Sequence, residues 1–339
     1  MAEIGVNKLY LFPSKLKELL KINGDAFDFS YPVSVEFSLT NSCNFNCIWC
    51  SDAGLRKRLG GQLSKEVLFN LLEDLSAGGA TGICVEGGGE PTLHPHFEEV
   101  INKIGQLGMA AGLITNGSIF NYGNLLDKFE WIRVSLDVAN KKQMQELKGS
   151  DSFDKVMANI RKMVQLRKKT VIGAGYVLST LNLEGLDEIT AELKEIGVDY
   201  LHIRPVVDTP KIAISSKVNL NNLKKYESER FKVMLDALQE NKIRGNANLP
   251  CRAHSLAVTI SGDGGVYICG RLNAYSWWKP LGNLNKTSFK DIWFGEERKK
   301  QMKQLLDKDF CKQHCPECRL TKYNILIDEL KKTKTVHFI

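Results

Sequence analysis

Six short apolar runs alternating with amphipathic stretches between residues 33 and 206 predict an α/β fold built on a parallel sheet. Two further observations shape that expectation. Glycine-rich and polar motifs follow the apolar runs directly, and the alternation stops near residue 210, where a differently built, cysteine-bearing region begins. The core is therefore expected to be an incomplete barrel or a doubly wound sheet, with ligands at the carboxyl ends of its strands.

The runs "VSVEFSLT" (33–40), "TGICVEG" (81–87), "AAGLITN" (110–116), "WIRVSLD" (131–137), "TVIGAGYVLS" (170–179) and "DYLHIRPV" (199–206) each read as a buried strand. Between them, "KEVLFNLLEDLSAGG" (65–79), "FEEVINKIGQLG" (97–108), "SFDKVMANIRKMVQLRKK" (152–169) and "LDEITAELKEIG" (186–197) repeat apolar residues at helical spacing. Parallel strands joined this way take right-handed crossovers. Beyond 210, "NLNNLKKYESERFKVMLDALQENK" (219–242) reads as a linking helix begun near Asn219 or Asn221. "LAVTISGDGGVYICG" (256–270) reads as two short strands around a Gly-Asp-Gly-Gly turn, and 288–308 as one helix. The expected plan is a lead-in over 1–30, a core over 31–210, a linking helix within 211–249, a small α+β unit over 250–320 and a C-terminal helix over 321–339.

With 339 residues, 43% of them hydrophobic, the chain can bury a large core. The net charge of +7 comes from scattered lysines, with short runs at 167–169 and 331–334, and suits solvated helix faces rather than a nucleic-acid surface. No export signal or apolar stretch long enough to span a membrane is seen, so a cytoplasmic protein is expected. Nine cysteines, an odd number, fall mainly in two groups: 43, 47 and 50, then 251, 269, 311, 315 and 318. Clusters in that setting point to metal rather than disulfides. Cys84, alone in an apolar run, reads as a core residue.

Cys43, Cys47 and Cys50 are three thiols on one loop after the first strand. Structural zinc takes four protein ligands and an iron–sulfur cubane takes four cysteines. Three cysteines leave one iron open to another ligand. At the rim of a parallel sheet, that open iron suggests catalysis.

The Cys-x3-Cys-x2-Cys spacing, with Trp49 directly before the last cysteine, resembles the radical S-adenosylmethionine (radical SAM) superfamily. The resemblance implies a partial (β/α)6 barrel and a 4Fe–4S cluster whose open iron binds the amino and carboxylate groups of S-adenosylmethionine. It implies reductive cleavage of that cofactor to a 5′-deoxyadenosyl radical, which takes hydrogen from the substrate. "GGGEP" (87–91) resembles the glycine-rich motif after strand two, and so assigns Gly88, Gly89 and Glu90 to the methionyl amino group. Ser135 in "SLD" resembles the strand-four contact to the carboxylate or ribose. Asn116 in "TNG" is a further cofactor candidate or a turn cap.

In the C-terminal region, Cys251-x12-Gly264-x4-Cys269 and Cys315-x2-Cys318 suit a second metal site, and on spacing alone a zinc ribbon fits as well. The stretch from Cys251 through "LGNLNKTSFKDIW" to "CPEC" resembles the SPASM/twitch extension of radical SAM enzymes. That implies an auxiliary 4Fe–4S cluster on Cys251, Cys269, Cys315 and Cys318. A full SPASM domain has seven cysteines; the five here suit the single-cluster twitch form and leave Cys311 surplus, either to replace one of those ligands, to belong to an incomplete second cluster, to donate hydrogen, or to do nothing.

The reading is thus a radical SAM enzyme of oxidoreductase type. The short N-terminal stretch lacks the leader-recognition domain of many peptide-modifying members, and the compact plan resembles the 2-deoxy-scyllo-inosamine dehydrogenase. A sugar, cyclitol or nucleoside derivative is therefore the expected substrate, with Arg204 binding a phosphate or carboxylate. A peptide maturase and a non-catalytic zinc protein are the alternatives. A flavodoxin or ferredoxin is the electron donor that the resemblance implies; no nucleic-acid or membrane partner is expected. Tyr176, His202, Trp277 and Trp278 are taken as packing residues.

Overall fold

The computed structural model describes residues 7–22, 30–206, 210–214, 218–235, 248–315 and 320–333. All six expected strands form: β1 (Ser34–Phe37), β2 (Gly82–Val85), β3 (Ala110–Thr115), β4 (Phe129–Ser135), β5 (Val171–Leu178) and β6 (Tyr200–Pro205). They pair in parallel and in sequence order. Three more join the same sheet after β7 (Lys232–Leu235): β8 (Ala257–Ile260), β9 (Gly265–Tyr267) and β10 (Gly282–Asn283). The order is β10-β9-β8-β1-β2-β3-β4-β5-β6-β7, an open sheet and not a closed barrel.

Eleven helices are described: α1 (Pro13–Lys21), α2 (Ala53–Leu59), α3 (Lys65–Ala77), α4 (Phe97–Gln106), α5 (Lys141–Lys148), α6 (Phe153–Leu166), α7 (Leu186–Ile196), α8 (Phe289–Trp293), α9 (Glu296–Leu305), α10 (Lys308–His314) and α11 (Thr321–Lys332). The crossover helices bury apolar stripes, such as Leu68, Leu71, Leu72 and Leu75 of α3 and Val100, Ile101 and Ile104 of α4. Those stripes join one core with Val35, Phe37, Ile83, Val85, Ile132 and Val134 of the strands. Alternate strand residues point the other way, and there Glu36, Cys84, Glu86, Arg133 and Arg204 are half-buried. The sheet therefore has an apolar face under the helices and a charged inner face.

Two helix expectations are corrected. Over 219–242 the described part is a 3-10 turn at Asn221–Tyr226 followed by β7, which pairs in parallel with β6. Phe231, Val233 and Leu235 are buried at alternate positions, the period of a strand. The remainder of that stretch, 236–242, lies outside the described residues. The helix expected over 288–308 is two, α8 and α9, broken at Gly295, where a Cβ would lie 2.7 Å from the Asp291 carbonyl oxygen.

The expected hairpin is present as β8 and β9, paired antiparallel. It does not stand apart: β8 adds in parallel to the free edge of β1, with Ser34 opposite Ala257 and Phe37 opposite Ile260. A second apolar cluster of Leu9, Leu19, Ile22, Ala253, Leu256, Leu326 and Ile327 packs α1 and α11 beside it. No described helix is long and apolar enough to cross a membrane.

Candidate active site

The loop from β1 to α2 carries Cys43, Cys47 and Cys50, all half-buried and none in a disulfide. Backbone bonds fix most of it, beside one bond from Phe45 N–H to Cys43 Sγ at 3.5 Å. Asn46 and Ile48 N–H groups donate to the Lys148 and Leu147 carbonyls at 2.9 and 3.0 Å, and Asn41 N–H donates to Gly61 O at 2.9 Å. Burial pushes the Cys47 thiol up to about 11 against the opposing charge of Lys148, and also raises Cys50, which Arg56 opposes. Cys43 and Cys50 lie close enough to Cys47 to act on it by charge. Such thiols must shed protons to become ligands, so metal loading is proton-coupled.

The glycine loop after β2 lies directly on this loop. Gly89 N–H donates to Thr40 O at 3.0 Å and Glu90 N–H to Ser42 O at 2.8 Å. A Cβ at Gly89 would fall 1.9 Å from Ser42 O, and one at Gly88 would fall 2.4 Å from Asn41 Oδ1. Only glycine permits this approach. Glu90 is 2% exposed. Its Oε1 accepts from Thr92 N–H at 3.2 Å, Thr92 Oγ1 at 2.6 Å and Thr115 Oγ1 at 2.7 Å, while Oε2 accepts Asn116 N–H at 2.7 Å. Burial raises its pKa and these bonds oppose the rise. Oε1 is saturated; Oε2 keeps a lone pair.

Asn116 caps a turn and also reaches the cysteine loop. Its Oδ1 accepts Ser118 N–H at 2.9 Å, and its Nδ2 donates to Asn44 Oδ1, inside the cysteine loop, at 2.8 Å. Trp49 is buried in the main core. Ser135 ends β4, half-buried, with its carbonyl accepting from Lys148 Nζ. The motifs after β1, β2, β3 and β4 thus meet at one rim.

Sequence reasoning missed Lys148. Its ammonium is 1% exposed and donates to Leu136 O at 3.0 Å and Asp137 Oδ2 at 3.2 Å, 5.5 Å from the Phe45 ring centroid. In sequence it looks like any last-turn lysine before a helix-ending glycine.

Below the rim, the inner face carries charge. Glu86 interacts with Cys84 by hydrogen bond and with Arg133 and Arg204 by charge, and burial raises its carboxyl pKa. Arg133 Nη1 lies 3.4 Å from His202 Nδ1. Asp52, beside Cys50, is pushed up to about 6 by burial and then by Glu86. Gly112 and Gly173 make room here, since a Cβ on either would strike the Trp131 or Tyr200 ring at 2.3 or 2.2 Å. Cys84 is accordingly not a core residue, as expected from its apolar run, but a half-buried thiol bonded to Glu86. The signal available in sequence was charge at alternating positions inside otherwise apolar strands. Tyr176 is core, its hydroxyl donating to Asn182 O at 2.7 Å.

A second group of thiols gathers around α10. Cys315 is hydrogen-bonded to Cys311 and feels the charge of Cys269 and Cys251; that bond, followed by burial, pushes its pKa far up. Cys318 lies outside the described residues. Trp278 is buried, whereas Trp277 is half exposed and stacked on Tyr275 with centroids 5.4 Å apart. Among the described residues, no three Cys, His, Asp or Glu side chains are grouped so as to hold a single metal ion. A cubane instead takes each thiolate on its own iron. Three thiols on the β1 loop and several at α10, all sulfur donors, fit two such groups.

Residues 37–193 match the family profile of the radical SAM superfamily and residues 251–319 that of an iron–sulfur cluster-binding domain, SPASM. The chain belongs to the radical SAM superfamily, with 4Fe–4S clusters and S-adenosylmethionine as its cofactors. The AdoMet-dependent heme synthase of Methanosarcina barkeri is 23% identical over 327 residues, covering 86% of this chain and 89% of that protein. Among solved structures, anSMEcpe with bound AdoMet superposes with a TM-score of 0.62 at 18% identity, covering 88% of this chain and 96% of that one. Streptococcus suis SuiB bound to precursor peptide SuiA gives 0.60 at 19%, covering 84% and 67%. At these identities the two structures establish the fold. The zinc-protein alternative gives way to a radical SAM enzyme.

Proposed function

We propose that this radical SAM enzyme acts on a small polar metabolite bearing a carboxylate or phosphate, held on the inner face of the sheet by Arg133 and Arg204. The observation that carries this reading is the inner-face constellation: two guanidinium groups acting on one half-buried carboxyl, Glu86. Guanidinium pairs oxyanions in a bidentate fork. The heme synthase relative, named for a small-molecule product, supports the same class. Within it, sugar, cyclitol and nucleoside derivatives carrying such a group are the first substrates to test. A peptide is the second reading, favoured by the fold shared with SuiB, solved with its precursor peptide.

Cys43, Cys47 and Cys50 would hold the cluster that binds S-adenosylmethionine, with Gly88, Gly89, Glu90, Trp49, Asn116 and Ser135 around the cofactor. When bound, the cluster and cofactor supply one-electron chemistry and hydrogen abstraction. The chain's own work is positional. Gly88 and Gly89 bring backbone against the cysteine loop, and Glu90 ties the ends of β2 and β3 together. Glu86, Arg133 and Arg204 orient an anionic group below the rim. An auxiliary cluster at α10 suits an oxidation, by taking up an electron. A flavodoxin or ferredoxin would supply the reducing electron.

The test is deuterium transfer into 5′-deoxyadenosine from a panel of labelled sugar phosphates, nucleotides, carboxylated cyclitols and short peptides. Transfer is expected from an anionic small molecule. Arg133→Gln and Arg204→Gln should each lower kcat/KM for it by roughly 10- to 100-fold, the worth of a charged hydrogen bond. Transfer from peptides alone would overturn the proposal.

A further inference from the structure

On its inner face β5 carries no side chain at Gly173 or Gly175, and each gap is crossed from a neighbouring strand. Arg133 of β4 leans over Gly175, where an added Cβ would lie 3.4 Å from its Cδ, and its Nη1 reaches His202 on β6. Tyr200, the first residue of β6, crosses the other way, two residues nearer the amino ends of the strands. A Cβ on Gly173 would fall 2.2 Å from Tyr200 Cζ and 2.4 Å from both Cε atoms, so the phenol end lies face-down on the glycine. Gly173 stands opposite Arg133, and the ring therefore carries its hydroxyl across β5 toward β4. Trp131 covers Gly112 of β3 likewise, its Cζ2 2.3 Å from a Cβ placed there. Two half-buried rings thus floor the inner face at the amino ends of its strands, with Arg133 one step above them.

The Tyr31 and Tyr176 hydroxyls each donate at 2.7 Å, to Asp74 Oδ1 and Asn182 O. Among the described residues the Tyr200 hydroxyl makes no hydrogen bond. Covering a glycine needs only a ring, and a half-buried hydroxyl without a partner costs free energy. Burial raises its pKa and Arg133 opposes the rise, so near neutral pH it keeps its proton and can donate. Arg133 spends one N–H on His202 and has others in its fork. We propose that Tyr200 is a specificity-determining substrate residue, whose hydroxyl joins the Arg133 guanidinium in binding the substrate's phosphate or carboxylate on the floor made by Trp131 and Tyr200. This rests on the inner-face substrate site proposed above and adds a direction to it. Two residues of β4, about 7 Å, separate Arg133 from Ser135 at the rim. A substrate held this way enters charge first and carries its oxyanion at the end away from the reacting carbon, as a monosaccharide or cyclitol monophosphate does.

The experiment is calorimetric titration of the anaerobically reconstituted full-length enzyme with methyl phosphate and, separately, with acetate, for the parent, Tyr200→Phe and Arg133→Gln. Phenylalanine keeps the ring on Gly173 and removes no hydrogen bond from the ligand-free protein, so its thermal unfolding should match the parent. The parent should bind one of the two probes at millimolar concentration, and the better one names the charged group. Tyr200→Phe should weaken that binding by roughly 10-fold, the worth of one hydrogen bond to a charged partner, and Arg133→Gln by at least as much. Parent-like affinity in Tyr200→Phe beside a loss in Arg133→Gln would overturn the role of Tyr200 and leave the inner-face site standing. Unchanged affinity in both variants, or a parent that binds neither probe, would overturn the two together. A loss confined to Tyr200→Phe would contradict the shared oxyanion site.

Discussion

Replacing Cys43, Cys47 and Cys50 together by alanine is expected to abolish 5′-deoxyadenosine formation while leaving about half of the iron in place. The loop that carries the thiols is held by main-chain bonds, from Asn46 and Ile48 to the end of α5 and from Asn41 to Gly61. Its shape therefore depends little on the sulfur atoms, of which Cys43 Sγ accepts Phe45 N–H at 3.5 Å. All three cysteines are half-buried, so truncation to alanine removes little packing. The α10 thiols belong to other elements and keep their own iron. Iron and sulfide analysis beside chromatographic detection of 5′-deoxyadenosine reads both halves of the expectation. Full retention of 5′-deoxyadenosine by the triple variant would remove the site from the β1 loop.

Lys148→Met is expected to destabilise the folded protein by about 3–5 kcal/mol, because it leaves the buried Asp137 carboxylate without its cation. Methionine matches the length of the lysine stem, so lost packing contributes little. What disappears is the charge that binds Leu136 O and Asp137 and lies over Phe45. Asp137 cannot turn away to water. Its Oδ1 accepts Val177 N–H at 2.8 Å, and its backbone is held at φ +59°. The same ammonium acts on Cys47. Its removal takes positive charge away from an anionic cluster, which disfavours the reduced state and should move the potential of that cluster negative. Denaturant unfolding and an EPR-monitored redox titration read the two effects. Unchanged stability together with an unchanged potential would show that Lys148 is a passive core residue.

Much of the catalytic rim was legible because parallel strands are buried on both sides of the chain and end abruptly. "VSVEFSLT", "TGICVEG" and "AAGLITN" carry at most one charge each and end at the residue where a motif begins. Topology then brings those ends together without further information. The cysteine spacing and the glycine run after β2 are local signals, and the contact of Gly89 with Ser42 gives that run its physical reason.

Features that depend on distant partners were not legible. The parallel pairing of β8 with β1 joins residues 34–37 to 257–260, and nothing in either segment announces the other. The β7 strand hid inside a stretch rich in lysine and glutamate that suits a helix, its alternation only five residues long. Lys148 becomes a buried cation only because α5 ends against the cysteine loop.

The measurement that bears most directly on the account is the EPR spectrum of the reduced, reconstituted holoenzyme with and without S-adenosylmethionine. With the cofactor carrying a nitrogen-15 amino group, the signal that depends on Cys43, Cys47 and Cys50 should shift and acquire coupling to the labelled nitrogen. An unaltered spectrum with no such coupling would contradict the assignment of the β1 loop as the cofactor site.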